Sequence, residues 1–212
     1  MSPSCCHELF HKAEHMALGY GMQELQCGVY HSQAMIRYFQ EDYVSSDKLF
    51  RIVLSISERL GGWYFRANAF WGIGKNSMIQ NHFEAAIPWL EDSLALYKSA
   101  GAQLSIALAW SELAVCHLRM GNDQKSLDLL EEALKINREA GTIHNYQVVL
   151  ANIGNIYMYR GNHLAAIEYY RNALTLAHEI KDPVFIRKWT FNIRLSYARL
   201  RQAVDQLDSE TA

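Results

Sequence analysis

The residues with the most direct chemical potential lie near the start of this 212-residue chain. His7-Glu8-Leu9-Phe10-His11 sets two imidazoles one helical turn apart, with a carboxylate between them. Such a pair can ligate Zn2+ from one helix face while the Glu acts as general base in a hydrolysis. His15 extends the stripe by another turn, and Cys5 and Cys6 are close in sequence. The surroundings argue against catalysis. Few residues precede the motif, so no catalytic subdomain is expected ahead of it, and the helical array described below supplies no substrate cleft around it. A His-rich helix that gathers metal adventitiously is the simpler expectation. His7, His11 and His15 are thus the only candidate metal ligands, Glu8 is the only candidate base, and no cofactor is expected.

No other constellation carries chemistry. The chain has no G-x-x-x-x-G-K-[ST], no G-x-G-x-x-G and no G-x-S-x-G. Gly72-Ile73-Gly74 reads as a mid-helix site of close packing. Glu91-Asp92 and Glu131-Glu132 read as solvated helix faces. Residues 183–201 hold Arg187, Lys188, Arg194, Arg199 and Arg201 without an acid, interleaved with Trp189, Phe191 and Tyr197. That mixture suits nucleic acid, but one short helix is too little surface for it. A non-enzymatic protein that binds neither nucleic acid nor membrane is the expectation.

Composition agrees. With 20 Lys+Arg against 22 Asp+Glu, the net charge of −2 gives no global pull toward polyanions. Half the residues are apolar, 12% aromatic and 20% charged, which suits a folded chain rather than a disordered one. No run approaches about 18 uninterrupted apolar residues, so no membrane span is expected. Met1 to Glu8 lacks the basic and apolar regions of a secretory leader. Four cysteines make no disulfide framework, so free thiols and a cytoplasmic location are expected. Only three prolines interrupt the chain, which favours long helices.

The elements that must position any site recur with a forty-residue period. Gln80-Asn81-His82-Phe83-Glu84-Ala85-Ala86-Ile87, Met120-Gly121-Asn122-Asp123-Gln124-Lys125-Ser126-Leu127 and Arg160-Gly161-Asn162-His163-Leu164-Ala165-Ala166-Ile167 fall in one register, with a weaker copy from Gln40 to Asp47. Small residues recur in three columns: Ala34, Gly74, Ala114 and Gly154; Ser46, Ala86, Ser126 and Ala166; Val53, Ser93, Ala133 and Ala173. Large residues fill neighbouring columns, among them Phe50, Leu90, Leu130 and Tyr170. Small set against large at fixed spacing is how paired helices interdigitate. Each unit reads as helix, turn, helix. Glycines at 61, 101 and 141 suit helix ends, Asn162 suits an N-cap, and Asp182-Pro183 suits a helix start. Pro88 falls inside a helix, where it removes one backbone hydrogen bond and bends the element.

Asn152-Ile153-Gly154-Asn155-Ile156-Tyr157, followed by Gly161-Asn162, Ala166, Tyr169-Tyr170 and Ala173, resembles the tetratricopeptide repeat. Trp110, Leu113, Ala114, Gly121 and Ala133 carry the likeness in the preceding copy. The period exceeds the usual length of about 34 residues and is similar to a long, 40-residue subclass found in bacterial signalling proteins and some eukaryotic adaptors. Arg37, Ser77 and His117 depart from the pattern where Tyr157 stands. The resemblance implies an all-α fold: a right-handed α-α superhelix, or solenoid, of antiparallel helix pairs. It would form a single domain over 1–212. An N-terminal helix over 3–22 would lead into pairs over 23–61, 62–101, 102–141 and 142–181. A terminal helix over 182–204 and an acidic tail over 205–212 would follow.

The resemblance further implies that the first helix of each pair lines a concave groove holding a protein or peptide partner. Groove positions are Tyr38 and Phe39; Trp71, Lys75 and Met78; Arg119; Asn152, Asn155 and Tyr159; and Lys188, Asn192 and Arg199. Gly72, Ser111, Glu112, Met158 and Leu195 fall on the same inward faces. The N-terminal end of this set is aromatic and Met-rich, and the C-terminal end is amide and basic. Asn side chains can pair with a peptide backbone and Lys with a carboxylate. Lys188-x-x-x-Asn192 resembles half of the carboxylate clamp of chaperone-binding members, while Gly72 and Glu112 lack its other half. The same aromatic residues could instead pack in a core or against a second copy, so a homodimer stays open. A scaffold, or a ligand-responsive regulator of a separate effector, is the expected function.

Overall fold

The computed structural model describes residues 22–211, with side chains to residue 206. The expected helix before residue 22, His7, Glu8, His11, His15, Cys5 and Cys6 lie outside the described residues. Among those described there are nine α-helices and no strand. The chain divides into two compact units, one up to Ser105 and one from Ile106 onward.

The first unit contains α1 (Gln23–Phe39), α2 (Tyr43–Leu60), α3 (Trp63–Ile79) and α4 (Phe83–Ser99). Helices of this length joined by such short turns can only fold back on one another, so neighbours are antiparallel. Asp42 caps α2, its Oδ1 accepting from the Ser45 N–H at 3.1 Å. Gly61 ends α2 in the left-handed region at φ 72°, its N–H donating to the Ser57 carbonyl. Cys27, Ala34, Phe50, Val53, Ile56, Ala69 and Ile73 form the core. The small-residue columns bring backbones close, as expected of them. Ser46 Oγ donates to the Ala34 carbonyl across the first pair at 3.0 Å, and Asn76 Nδ2 donates to Ser46 Oγ at 3.1 Å. Pro88 lies within α4 on its exposed side, where water can satisfy the carbonyl that it leaves without an N–H.

The second unit contains nearly all of α5 (Gln103–Arg119), then α6 (Asp123–Glu139), α7 (Ile143–Tyr159), α8 (His163–Glu179) and α9 (Pro183–Thr211). Ser126 Oγ donates to the Ala114 carbonyl at 2.6 Å, the counterpart of the Ser46–Ala34 bond in the first unit. Ala107, Ala114, Leu127, Leu130, Ala133 and Ile153 pack α5, α6 and α7 together. Leu150, Ala166, Tyr170, Ala173 and Trp189 pack α7, α8 and α9. Asn162 caps α8 by accepting from the Ala165 N–H at 3.2 Å. Asp182 Oδ1 accepts from the N–H groups of Val184 and Phe185 at the start of α9.

The turns keep a stricter rhythm than the side chains. Residues 41, 61, 81, 101, 121, 141, 161 and 181 all take positive φ, one in every 20. Five are glycine; Glu41, Asn81 and Lys181 hold the same conformation with a side chain. At the far end α9 runs to Thr211 instead of stopping near 204. No Gly or Pro follows Pro183, so nothing breaks the helix before the acidic residues, and Asp205 stands one turn from Arg201 at 3.9 Å. No helix among the described residues is long and apolar enough to cross a membrane.

Candidate functional site

The second unit holds two adjoining hollows. The larger, about 450 Å³, is lined by Asn155, Met158 and Tyr159 of α7, His163 and Tyr170 of α8, and Asn192, Leu195 and Arg199 of α9. The smaller, about 200 Å³, is lined by Val115, Leu118 and Arg119 of α5, Ser126 and Leu130 of α6, and Asn152, Asn155 and Tyr159 of α7. Asn155 and Tyr159 line both, so the two adjoin as one trough.

Gly154 on α7 makes room for the Tyr170 ring that lines this trough. Gly154 lets the Tyr170 ring approach so closely that an added Cβ would sit 2.9 Å from its Cε1. The ring is buried, and its hydroxyl reaches Asn155 Oδ1 at 2.6 Å. Burial, then the nearby Tyr159, pushes the Tyr170 hydroxyl up to about 12. It therefore stays protonated and donates to Asn155, which turns the Nδ2 donor of that amide toward other partners. Tyr159 is 66% exposed, and its hydroxyl accepts from Arg119 Nη1 at 3.3 Å. Asn152 and Asn192 are half-buried, and neither side chain makes a hydrogen bond with the described residues. His163 opens α8, at the end where the helix dipole is positive. Its Nδ1 lies 3.3 Å from Met158 Sδ, and Ser196 Oγ donates to the same sulfur at 3.4 Å. Among the described residues, no carboxylate lines either hollow. Arg160, at the C-terminal end of α7, is already paired with Asp123 at 3.1 Å.

Of the positions expected to line a groove, Arg119, Asn152, Asn155, Tyr159, Asn192 and Arg199 come together in this trough. Lys188 does not line it. Its Nζ sits over the Trp189 ring at 5.0 Å and near Phe185 at 5.9 Å, so the Lys188–Asn192 pairing is not assembled there. In the first unit, Phe39 is 75% exposed and meets Tyr38 edge-on at 5.4 Å, and Tyr38 meets Tyr43 at 5.9 Å. Lys75 Nζ lies over the Trp71 ring at 5.3 Å, and Met78 is half-buried. Gly72 is part of the packing and not of a groove surface: an added Cβ would meet the buried Phe50 ring at 2.4 Å. Ser111 and Glu112 are buried as well.

Trp189, interleaved with the basic residues of α9, is buried and stacked on Phe185 at 5.3 Å. Its Nε1 donates to the fully buried Gln147 Oε1 at 3.1 Å. An indole with a polar N–H buries well when it finds an acceptor, and Gln147 on α7 supplies it. His163 and Tyr170 in the larger hollow, like Ser126 and Leu130 in the smaller, escape inspection of first helices because they belong to second helices. A signal existed for each of the first two. His163 follows a capping Asn, and Tyr170 is the one member of its large column, Phe50, Leu90, Leu130 and Tyr170, with a polar tip.

Antiparallel helix pairs pinned by small-residue columns define an all-α helical-repeat fold. Residues 105–177 match the family model of the tetratricopeptide repeat. No curated protein matches the chain by sequence. Solved structures share the fold. BtubC (BKLC) from P. vanneervenii superposes with a TM-score of 0.71 at 13% identity, covering 99% of this chain and 91% of that one. The apo form of RapI gives 0.71 at 16% identity, covering 88% of this chain and 72% of that one. A signal transduction ATPase with numerous domains, bearing a tetratricopeptide repeat sensor, from Pyrococcus horikoshii gives 0.70 at 17% identity. That match covers 81% of this chain and 27% of the larger protein.

Proposed function

We propose that this protein is a non-catalytic scaffold of long, 40-residue tetratricopeptide repeats that binds a protein or peptide segment in the trough of its second unit. Helix starts at Gln23, Trp63, Gln103, Ile143 and Pro183, evenly spaced at the period of the sequence, support the long repeat. The observation that carries the binding reading is the pair of half-buried amides, Asn152 and Asn192, left without side-chain partners in hollows that also hold Arg119 and Arg199. A half-buried amide is costly unless it is satisfied by water or a ligand. An extended peptide offers the alternating carbonyls and N–H groups that such amides complement.

Affinity capture from native lysate with the wild type and with Asn152→Ala/Asn192→Ala tests this. The double variant should lose a captured partner while its melting temperature stays within a few degrees of wild type. Undiminished capture refutes the reading. A second reading, a ligand-responsive regulator of a separate effector, draws on the likeness to a protein bearing a tetratricopeptide repeat sensor. It requires solution scattering profiles that differ with and without the captured partner.

A further inference from the structure

The larger hollow is richer in donors than backbone recognition requires. A peptide backbone presents N–H and C=O groups in equal number, so a site that reads only backbone needs acceptors as well as donors. Here the Arg199 guanidinium is donor-only. Asn155 has its oxygen occupied by the Tyr170 hydroxyl at 2.6 Å, leaving the amide N–H2. His163 stands at the first position of α8, where the helix dipole adds positive potential. Arg119, bound to the Tyr159 hydroxyl at 3.3 Å, places a second guanidinium at the adjoining hollow. Among the described residues, the lining of the larger hollow contains no carboxylate. Met158, Leu195 and the Tyr170 ring give the same hollow an apolar portion, and its volume of about 450 Å³ accommodates a whole side chain.

We propose that this hollow between α7, α8 and α9 takes the anionic side chain of a bound peptide, a carboxylate or a phosphoryl group carried on an apolar stem. The inference rests on the peptide-binding reading above and specifies the side chain that the peptide must offer. Arg199 is the residue that discriminates. The apolar stem lies along Met158 and Leu195, and the amides of Asn155 and Asn192 hold the anion or the backbone beside it.

The test uses the full chain against immobilised random nonapeptides, capped at both ends, with the central residue fixed as Glu, phosphoserine, phosphotyrosine, Gln or Lys. At least one acidic pool should be retained about tenfold more strongly than the Gln pool, the factor expected of one charge-assisted hydrogen bond. The Lys pool should be weakest. Whether the Glu pool or a phosphorylated pool leads distinguishes carboxylate from phosphoryl. Arg199→Gln, on an exposed position of α9, should bring the acidic pools to within twofold of Gln. Arg187→Gln, an exposed arginine of the same helix outside the hollow, should leave the preference intact and so controls for net charge. Retention of Gln equal to the acidic pools overturns the inference while leaving peptide binding in place. A preference that survives Arg199→Gln, or is lost equally in Arg187→Gln, also overturns it. Retention of no pool overturns both readings.

Discussion

Adding one methyl group at Gly72 and one at Gly28 should move stability in opposite directions, although both glycines lie inside helices of the first unit. At Gly28 of α1 the nearest atom to a new Cβ is Phe65 Cζ at 3.8 Å, an ordinary van der Waals contact. Gly28→Ala therefore removes only the entropic penalty of glycine and should stabilise by about 1 kcal/mol. At Gly72 of α3 the new Cβ would lie 2.4 Å from Cε2 and Cζ of Phe50 and 2.6 Å from its Cδ2. Carbon atoms prefer about 3.5–4.0 Å, so the overlap exceeds about 1 Å. Phe50 cannot swing clear, because it is fully buried and meets the His31 ring edge-on at 5.9 Å. Overpacking costs about 1–3 kcal/mol, and a contact this short belongs at the upper end. After the propensity gain, Gly72→Ala should destabilise by about 2 kcal/mol. For a unit of this size, about 1 kcal/mol moves the melting temperature by about 4–8 °C. Urea unfolding followed by far-ultraviolet circular dichroism measures both changes. In a Phe50→Leu background, where the ring edge is gone, Gly72→Ala should approach neutrality. Gly72→Ala as stable as wild type, or equally costly with and without the Phe50 ring, would refute the packing of α2 on α3 described above.

Three further outcomes follow from the geometry. Glu41→Gly and Lys181→Gly, at φ 62° and 53°, should each stabilise by about 1 kcal/mol, the cost that a side chain adds in the left-handed region. Gly121→Ala at φ 80° should lose a similar amount, all read by denaturant midpoint. Trp189→Phe leaves the buried Gln147 amide with no partner, and should cost about 3 kcal/mol from the orphaned amide together with the lost ring volume. Adding Gln147→Leu should recover part of this, and strict additivity in the double-mutant cycle would count against the Trp189–Gln147 bond. Burial holds the His31 imidazole below its ordinary value of 6.5. The unfolded chain then takes up a proton near that pH that the folded chain resists. The stability contributed by neutral His31 is thus full above pH 6.5 and declines as pH falls below it. His31→Leu should flatten that part of the stability-against-pH curve, and an unchanged slope would contradict the desolvated site.

Much of the fold is legible from residue types alone. The regular columns that hold Ala34, Gly74, Ala114 and Gly154 mark helix faces that must touch. The serines of the next column, Ser46 and Ser126, reach the carbonyls of Ala34 and Ala114 because those faces are close enough for a side chain to cross. The turn glycines show where helices stop. Residue type does not reveal that Glu41, Asn81 and Lys181 adopt the same left-handed turn. There the conformation is imposed by the helices on either side, which override a local preference worth only about 1–2 kcal/mol.

The candidate site divides along the same line. The sequence by itself determined that helices recur with a forty-residue period, which puts Arg119, Tyr159 and Arg199 in one column and Asn152 and Asn192 in another. That these columns and Asn155 face a groove was implied by the resemblance to the tetratricopeptide repeat, because helical periodicity is a local property and does not say what a face lines. Only the tertiary structure decided which neighbours complete the trough. It brought His163 and Tyr170 in from a second helix, gave the Asn155 oxygen to the Tyr170 hydroxyl, and set Lys188 over the Trp189 ring. It also buried Trp189 against Gln147, 42 residues away. Those outcomes depend on which side chain finds a partner once the helices pack. Hydrogen bonds and burial between distant residues settle that choice, and no spacing within one helix encodes it.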